Sequence, residues 1–312
     1  MSRRRILLLL KPFDVFPRRR TEAISSSLPR VKHYLDDRHR VHNDTINHCQ
    51  NVLCQKSLDW EPLLRNKLCK PIRNVDLVIS IGGDGTLLQA SHFMDDSIPI
   101  LGVNSDPTKP EEVKELSGEF DATRSTGYLC AATAGNFEQV LDEILEGQMA
   151  PSDVSRISIS LNGQVLSTYA LNDVLIAHPC PATISRLSFL MKTDGQVTSP
   201  LVNCRSSGLR VSTAAGSTAA MLSAGGFPMP ILSDDLQYMV REPILIEAAN
   251  SNLMHGVIKS NHTMYVAWYS KEGVIYVDGP NVFQSIQHGD AIELSSRAPI
   301  LKVFLPPHLL RT

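Results

Sequence analysis

The stretch Gly82-Gly83-Asp84-Gly85-Thr86 joins an apolar run, Val75 to Ile81, to a segment of helical character, Thr86 to Met94. Glycines between a strand and a helix let the backbone approach a ligand closely, and successive N–H groups beside a helix N-terminus suit phosphate oxygens. Asp84 is the unusual member. A carboxylate would repel a bare polyphosphate, so in such a cradle it serves as a magnesium partner or as a base beside a transferring phosphoryl group. The turn taken alone also admits a plainer reading, a Gly-rich turn in which Asp84 caps the helix. It is neither the GxxxxGK[ST] phosphate loop nor the GxGxxG fingerprint, so a Walker-type ATPase and a Rossmann dehydrogenase both lose support.

A second group lies downstream: Leu171-Asn172-Asp173-Val174, then Gly208-Leu209, the run from Ser212 to Ala220, and Ser223-Ala224-Gly225-Gly226. An Asn beside a carboxylate can accept from ribose hydroxyls and can both donate to and accept from a purine edge. Neighbouring strand residues face opposite ways, so both reach one ligand only at a strand end or a bulge. The small residues at 214–220 allow close backbone approach to a flat ligand, or else form a tight helix start capped by Thr213 or Ser217.

Gly82 to Thr86 resembles the GGDGT motif of NAD kinases, of diacylglycerol and sphingosine kinases and, more distantly, of phosphofructokinases. Asn172-Asp173 resembles the Asn-Glu motif of NAD kinases, with Asp where Glu is usual. The run from Gly208 to Gly226 is similar to that family's GLxVSTPTGSTAYxxSAGG, and Val277-Asp278-Gly279 resembles its late DG turn. The Gly-Thr-Gly-Asn segment of the lipid kinases is missing. The resemblance implies phosphoryl transfer from ATP with Mg²⁺ to the adenosine-ribose 2′-hydroxyl of a dinucleotide, by a homodimer with the acceptor site near the subunit interface. Asp84 would be the base, and Gly82, Gly83, Gly85 and Thr86 would cradle the donor phosphates. Asn172 and Asp173 would hold the adenosine part, and Thr218, Ala219 and Ser223 would line its pocket beside Ala215 and Ala220. Arg205 stands where the family has the arginine of its RGDG run.

Departures from the family fall at one end of that pocket. Ser207 replaces the Asp of RGDG, Ala220 replaces the Tyr of GSTAY, and Asn104 to Lys109 stands where NxGxLGFL is usual. This pattern resembles the divergent plant NADH kinases. Oxidised nicotinamide is positively charged, so losing a carboxylate at Ser207 would remove an attraction for NAD⁺ that NADH does not share. The expectation is therefore NADH kinase activity, with NAD⁺ used less efficiently. A lipid kinase and a non-catalytic dinucleotide sensor are the alternatives.

Elements to position these groups are visible in the pattern. Ile6 to Leu10, Val75 to Ile81 and Ile98 to Val103 read as buried parallel strands. Asn136 to Leu145 is an amphipathic helix through Phe137, Val140, Leu141 and Ile144. Residues 31–56 read as surface helices, with His33, His39, His42 and His48 on a solvated face rather than as metal ligands. Arg18 to Arg20, near Pro17, reads as a solvated loop. Past Pro151 the signal alternates, in Ser155 to Leu161, Val165 to Ala177, Ser185 to Lys192, Met264 to Trp268, Val274 to Val277, Ala291 to Leu294 and Leu301 to Leu305, as antiparallel sheets would. The expected fold is a doubly wound α/β domain over residues 1–150 and a β-sandwich-like dinucleotide-binding domain over 151–312, the last residues returning to the first domain.

Composition agrees with a small-molecule enzyme. The 312 residues are 43% hydrophobic and 20% charged, with 30 Lys and Arg against 32 Asp and Glu for a net charge of −2. That length favours two domains over one, and that balance gives no broad pull toward nucleic acid or an anionic membrane. Six cysteines without a CxxC pair point to reduced thiols rather than to zinc or a dithiol. The basic Arg3 to Arg5 and the short apolar run after it are too brief for a signal peptide, no segment is long enough to span a bilayer, and the C-terminal Leu-Arg-Thr is not a peroxisomal tripeptide. A cytoplasmic protein is expected.

Overall fold

A computed structural model describes residues 4–12, 29–56, 58–244 and 252–310. Arg3, Pro17, the Arg18 to Arg20 loop, Arg311 and Thr312 lie outside them. The chain forms two compact units, one from residues up to Ser152 together with the stretch from Lys302, the other Asp153–Leu301.

The first unit is built on a sheet of parallel strands. Leu77–Gly82 runs parallel between Arg5–Leu10 and Ile100–Asn104, and Asp59–Leu64 adds a further parallel strand outside Arg5–Leu10. Every residue of Leu77–Gly82 and of Ile100–Asn104 is buried, as strands covered on both faces must be. Ile6, Leu8, Ile79, Ile81, Leu101 and Val103 share one core with Ile46, Cys49, Val52 and Leu53 of the helix Pro29–Gln55 and with Phe137, Val140, Leu141 and Ile144 of the helix Phe137–Leu145. The expected apolar stripe of Asn136 to Leu145 is thus the face that packs. Parallel strands leave their carboxyl ends together, and the Gly82 turn opens from that edge into the helix Asp84–Ser91.

Several details differ from the sequence reading. Residues 31–55 lie in one long helix, Pro29–Gln55, and His42 on it is buried at 7% exposure rather than solvated. Asp59–Leu64 and the helix Pro110–Leu116 carry too little apolar periodicity to announce themselves. Leu301–Phe304, grouped by its alternation with the antiparallel strands, pairs in parallel with Ile100 and Leu101 instead.

The second unit stacks side chains of two antiparallel sheets into one core. Ser185–Thr193, Thr263–Trp268, Ala291–Ser295 and Ser158–Leu161 are successive neighbours in the first. Leu236–Arg241, Gly208–Ser212, Asp173–Ala177 and Glu272–Val277 are successive neighbours in the second. The expected strand Val165 to Ala177 is two strands, Gln164–Val165 and Asp173–Ala177, one in each sheet. The chain passes from one sheet to the other between Val202–Ser206 and Gly208–Ser212 with only Ser207 between them. Gly208 makes that crossing at φ +126, where a Cβ would lie 2.6 Å from the Ile176 carbonyl oxygen.

Ile79 is fully buried in the central strand of the first unit. Ile79→Ala should lower the unfolding free energy by about 2–5 kcal/mol in urea titration, through lost burial and the cavity left behind.

Candidate active site

Asp84 is the first residue of its helix, and Gly83, extended at φ −169, is the N-cap. No side chain caps this helix, so the capping role open to Asp84 in the sequence is not the one it takes. Its carboxylate turns to another segment: the backbone N–H groups of Tyr128 and Leu129 donate to it at 2.8 and 2.9 Å, and the Cys130 thiol lies 3.6 Å from Oδ1. Burial raises the proton affinity of this carboxyl, and the donated bonds offset only part of that rise. The same proximity to Asp84, added to burial, pushes the Cys130 thiol well up. The loop that supplies the donors has its own requirement, since a Cβ on Gly127 at φ +63 would fall 2.4 Å from the Asn104 amide.

The glycines divide their work. A Cβ on Gly82 would lie 2.2 Å from the Thr86 hydroxyl, and one on Gly83 would lie 2.8 Å from the Ser125 hydroxyl. Both are therefore required by packing within the unit. Gly85 is exposed and its Cβ position meets nothing nearer than an Arg65 nitrogen at 3.8 Å. Thr86 is buried and accepts from Arg65 at 3.3 Å.

Gly82, Gly83, Gly85 and Thr86 line a cavity of about 460 Å³. Cations not singled out from the sequence share its walls: Lys11, Arg38, Arg65 and Arg124. Two of these are tied to carboxylates. Arg38 donates to Asp106 at 2.8 Å, and Arg124 pairs with Glu112 and lies 3.3 Å from Asp106. Lys11 and Arg65 differ. Burial, followed by the Arg65 charge, lowers the Lys11 pKa with only weak compensation from Asp106, and burial lowers that of Arg65. Two half-buried like charges beside a Gly-rich turn are suited to an anion, since each would gain from a phosphate. The sequence held one signal for this, since Lys11 directly follows the apolar run that ends at the carboxyl edge of the sheet.

The second unit brings another group together. Asn172 stands just before the strand Asp173–Ala177, so the pair sits at a strand end, the arrangement that lets both side chains reach one ligand. Asp278, in the late turn at φ +51, holds that strand end by accepting the N–H groups of Leu171, Asn172 and Asp173 at 2.8, 2.7 and 2.9 Å. Thr213 donates to the Leu171 carbonyl at 2.5 Å and accepts the Gly216 N–H at 3.1 Å. A Cβ on Gly216 would lie 2.1 Å from the Asn172 carbonyl oxygen, so the small-residue run is pressed against the Asn-Asp pair. Asn172 Oδ1 is buried without a hydrogen-bond partner among the described residues, an acceptor that a ligand donor would satisfy. Asp173 pairs with Arg210, a residue the sequence reading passed over. Burial, with Asp278 adding to it and Arg210 opposing, carries the Asp173 pKa to about 6.

The remaining expected residues are dispersed. Ala215 is buried inside the short helical turn Ala215–Thr218, Thr218 is half-buried, and Ala219 and, in the helix Ala220–Ser223, Ala220 and Ser223 are exposed. Arg205 is exposed on Val202–Ser206, in the other sheet from Asn172. Ser207 donates its hydroxyl to Glu242, whose backbone has a positive φ of 48°. A carboxylate thus stands beside position 207 although the residue there is Ser. The electrostatic argument from a missing negative charge does not hold at this point.

Two outcomes follow from this geometry. Gly216→Ala should lower the unfolding free energy by about 1–3 kcal/mol in urea titration, because the added carbon displaces the Asn172 backbone. The folded-state pKa of Asp173 lies above its unfolded value of about 3.9, so its stabilising contribution is full below that pH and is lost as pH rises through about 6. Asp173→Asn should therefore flatten the fall in stability across that window in urea unfolding.

Comparisons with known proteins agree on one family. Residues 21–106 match the model of the ATP-NAD kinase N-terminal domain. The chain is 59% identical to a protein named probable NADH kinase from Oryza sativa subsp. japonica, covering 100% of this chain and 99% of that one. It is 58% identical to the NADH kinase of Arabidopsis thaliana, with 98% and 96% covered. Among solved structures, the fold matches an NAD kinase from Archaeoglobus fulgidus in complex with ATP, at TM-score 0.65 and 18% identity over 98% of this chain and 96% of that one. It also matches yeast NADH kinase complexed with NADH, at TM-score 0.66 and 15% identity over 97% and 84%. Like the plant NADH kinases that share more than half of its residues, this chain belongs to the NAD kinase family.

Proposed function

We propose that this protein transfers the γ-phosphoryl group of ATP to the adenosine-ribose 2′-hydroxyl of NADH, and less efficiently of NAD⁺, giving NADPH and NADP⁺. The observation that carries the reading is the state of Asp84, a carboxylate of raised proton affinity fixed at the start of the helix that follows Gly82 and Gly83. In the reaction, the O2′–Pγ bond forms as the bond from Pγ to the bridging oxygen of ADP breaks. ADP leaves with that electron pair, and Asp84 takes the hydroxyl proton. The turn N–H groups, Lys11 and Arg65 receive the phosphates. Asn172 and Asp173 hold the adenosine, with Thr218, Ala219, Ala220 and Ser223 as its flank and Ala215 beneath them. Arg205 and Ser207, with Glu242, stand toward the nicotinamide end.

Magnesium fits as an ion carried by the nucleotide. Among the described residues no group of three or more His, Cys, Asp or Glu could hold a metal by itself. Mg²⁺ ordinarily takes one or two carboxylates with phosphate oxygens and water, and Asp84 is the carboxylate that the turn offers. When bound it neutralises charge on the β- and γ-phosphates.

The preference for NADH is supported by the names of the two plant relatives. Glu242 beside Ser207 means that the charge at position 207 does not explain it. We read the protein as a homodimer, with exposed apolar residues such as Leu222 and Phe227 of the second unit available to a partner. No helix among the described residues is long and apolar enough to cross a membrane. The six cysteines are free thiols, as suits a reducing compartment such as the cytoplasm.

With MgATP and equal concentrations of NADH and NAD⁺, the protein should produce NADPH faster than NADP⁺. Equal or reversed kcat/KM values would refute the preference, and no phosphorylated dinucleotide at all would refute the reading.

A further inference from the structure

One polar chain in the first unit has no part in the chemistry described above. His42, on the helix Pro29–Gln55, places Nδ1 2.7 Å from the Ser105 hydroxyl and Nε2 3.1 Å from the Lys11 carbonyl oxygen. Ser105 in turn sends both its hydroxyl and its backbone N–H to the Gly82 carbonyl, each at 2.9 Å. Thr45, one turn along the same helix, donates to the Ser105 carbonyl at 3.0 Å. A single buried imidazole therefore ties the end of the first strand to the Gly82 turn.

The protons in this chain can be counted. The carbonyl oxygens of Gly82 and Lys11 only accept. Ser105 has one hydroxyl proton, and giving it to Gly82 leaves its oxygen as the acceptor for Nδ1–H. The bond to Lys11 then needs a proton on Nε2 as well. All three bonds are made at once only by the imidazolium. A neutral ring with its proton on Nδ1 keeps the bonds through Ser105 and loses the one to Lys11. With the proton on Nε2, Ser105 must choose between the ring and Gly82.

The charges around His42 bear on which form is present. Lys11 from the first strand, Arg38 and His39 from its own helix and Arg65 across the cavity are cationic or can become so, while Asp106 is anionic. Burial leads in disfavouring the charged ring, with Lys11 and His39 adding to it, and the Lys11 carbonyl and Asp106 opposing. A polyphosphate entering this cavity would reverse that balance, because it brings negative charge among the same cations.

We propose that His42 is a positioning residue that sets the phosphate-binding turn through Ser105, and that its fully bonded form is reached when a phosphate-bearing nucleotide occupies the cavity. The inference rests on the phosphotransfer reading and deepens it by coupling nucleotide binding to proton uptake at His42. It also gives a reason for burying a histidine on a helix whose neighbouring histidines look solvated in the sequence.

The test combines kinetics with a spectroscopic readout. His42→Ala and Ser105→Ala should each raise the KM for MgATP about tenfold, while the KM for NADH stays within about twofold. The double variant should be no worse than either single one, since both cut the same chain. His42→Asn, which keeps a donor toward Ser105, should recover part of the loss. As pH rises, the wild-type KM for MgATP should rise as the ring in the nucleotide complex loses its proton, and that rise should be smaller in His42→Ala. With ¹⁵N-labelled histidine, the resonance absent from His42→Asn should titrate at higher pH when MgATP is added. Additive losses, an equal rise in both KM values, or a His42 titration that MgATP does not move would overturn the inference while leaving an active kinase. A wild type that neither binds MgATP nor forms NADPH would overturn the phosphotransfer reading and this inference with it.

Discussion

The hydrogen bonds from the Tyr128 and Leu129 backbone to Asp84 are the constraint on which the candidate chemistry turns. A carboxylate at the start of a helix beside a phosphate-type turn would ordinarily be free to rotate away or to cap the helix. Here two donors from a separate loop fix it. Burial keeps its proton affinity high against their pull, and a general base needs that combination of fixed position and retained basicity. The loop that provides the donors depends on Gly127 packed on Asn104, and Asn104 ends the strand next to Gly82. The site is therefore an outgrowth of the parallel sheet rather than a loose addition to its edge.

The second unit solves a comparable problem by similar means. Asp278 gathers three consecutive N–H groups at the end of the Asp173–Ala177 strand, and Gly216 presses the small-residue run against the same point. In both units a carboxylate accepting backbone N–H groups holds an irregular segment at a strand end. Asp84 is assigned chemistry in addition, whereas the three bonds that Asp278 accepts hold a strand end. Arg210 gives Asp173 a charged partner, so under the proposed reading a ligand hydroxyl would compete with a guanidinium for that carboxylate.

Much of this was legible in the sequence because it was encoded locally. Buried strands announce themselves as unbroken apolar runs, the helix Phe137–Leu145 by its stripe, and the Gly82 turn and Asn172-Asp173 pair by residue type. What was hidden depends on contacts between distant positions. His42 looks like its exposed neighbours His33 and His48 until the helix is laid against Ser105. Leu301–Phe304 alternates as an antiparallel strand would, and only the return of the chain makes it parallel. Glu242 restores a carboxylate beside Ser207 from 35 positions away, which no reading of the local motif could supply. Two of the turn's three glycines are also explained differently by the structure, through Thr86 and Ser125 rather than through a ligand.

The central claim is that Asp84 acts on the acceptor's proton rather than only holding a loop. Asp84→Asn separates these roles when turnover is measured beside calorimetric binding of MgATP and of NADH to the same preparation. The account predicts that both ligands still bind while NADPH formation falls by about 10²–10⁴-fold, the usual contribution of a positioned base. A variant that keeps turnover close to wild type would contradict it.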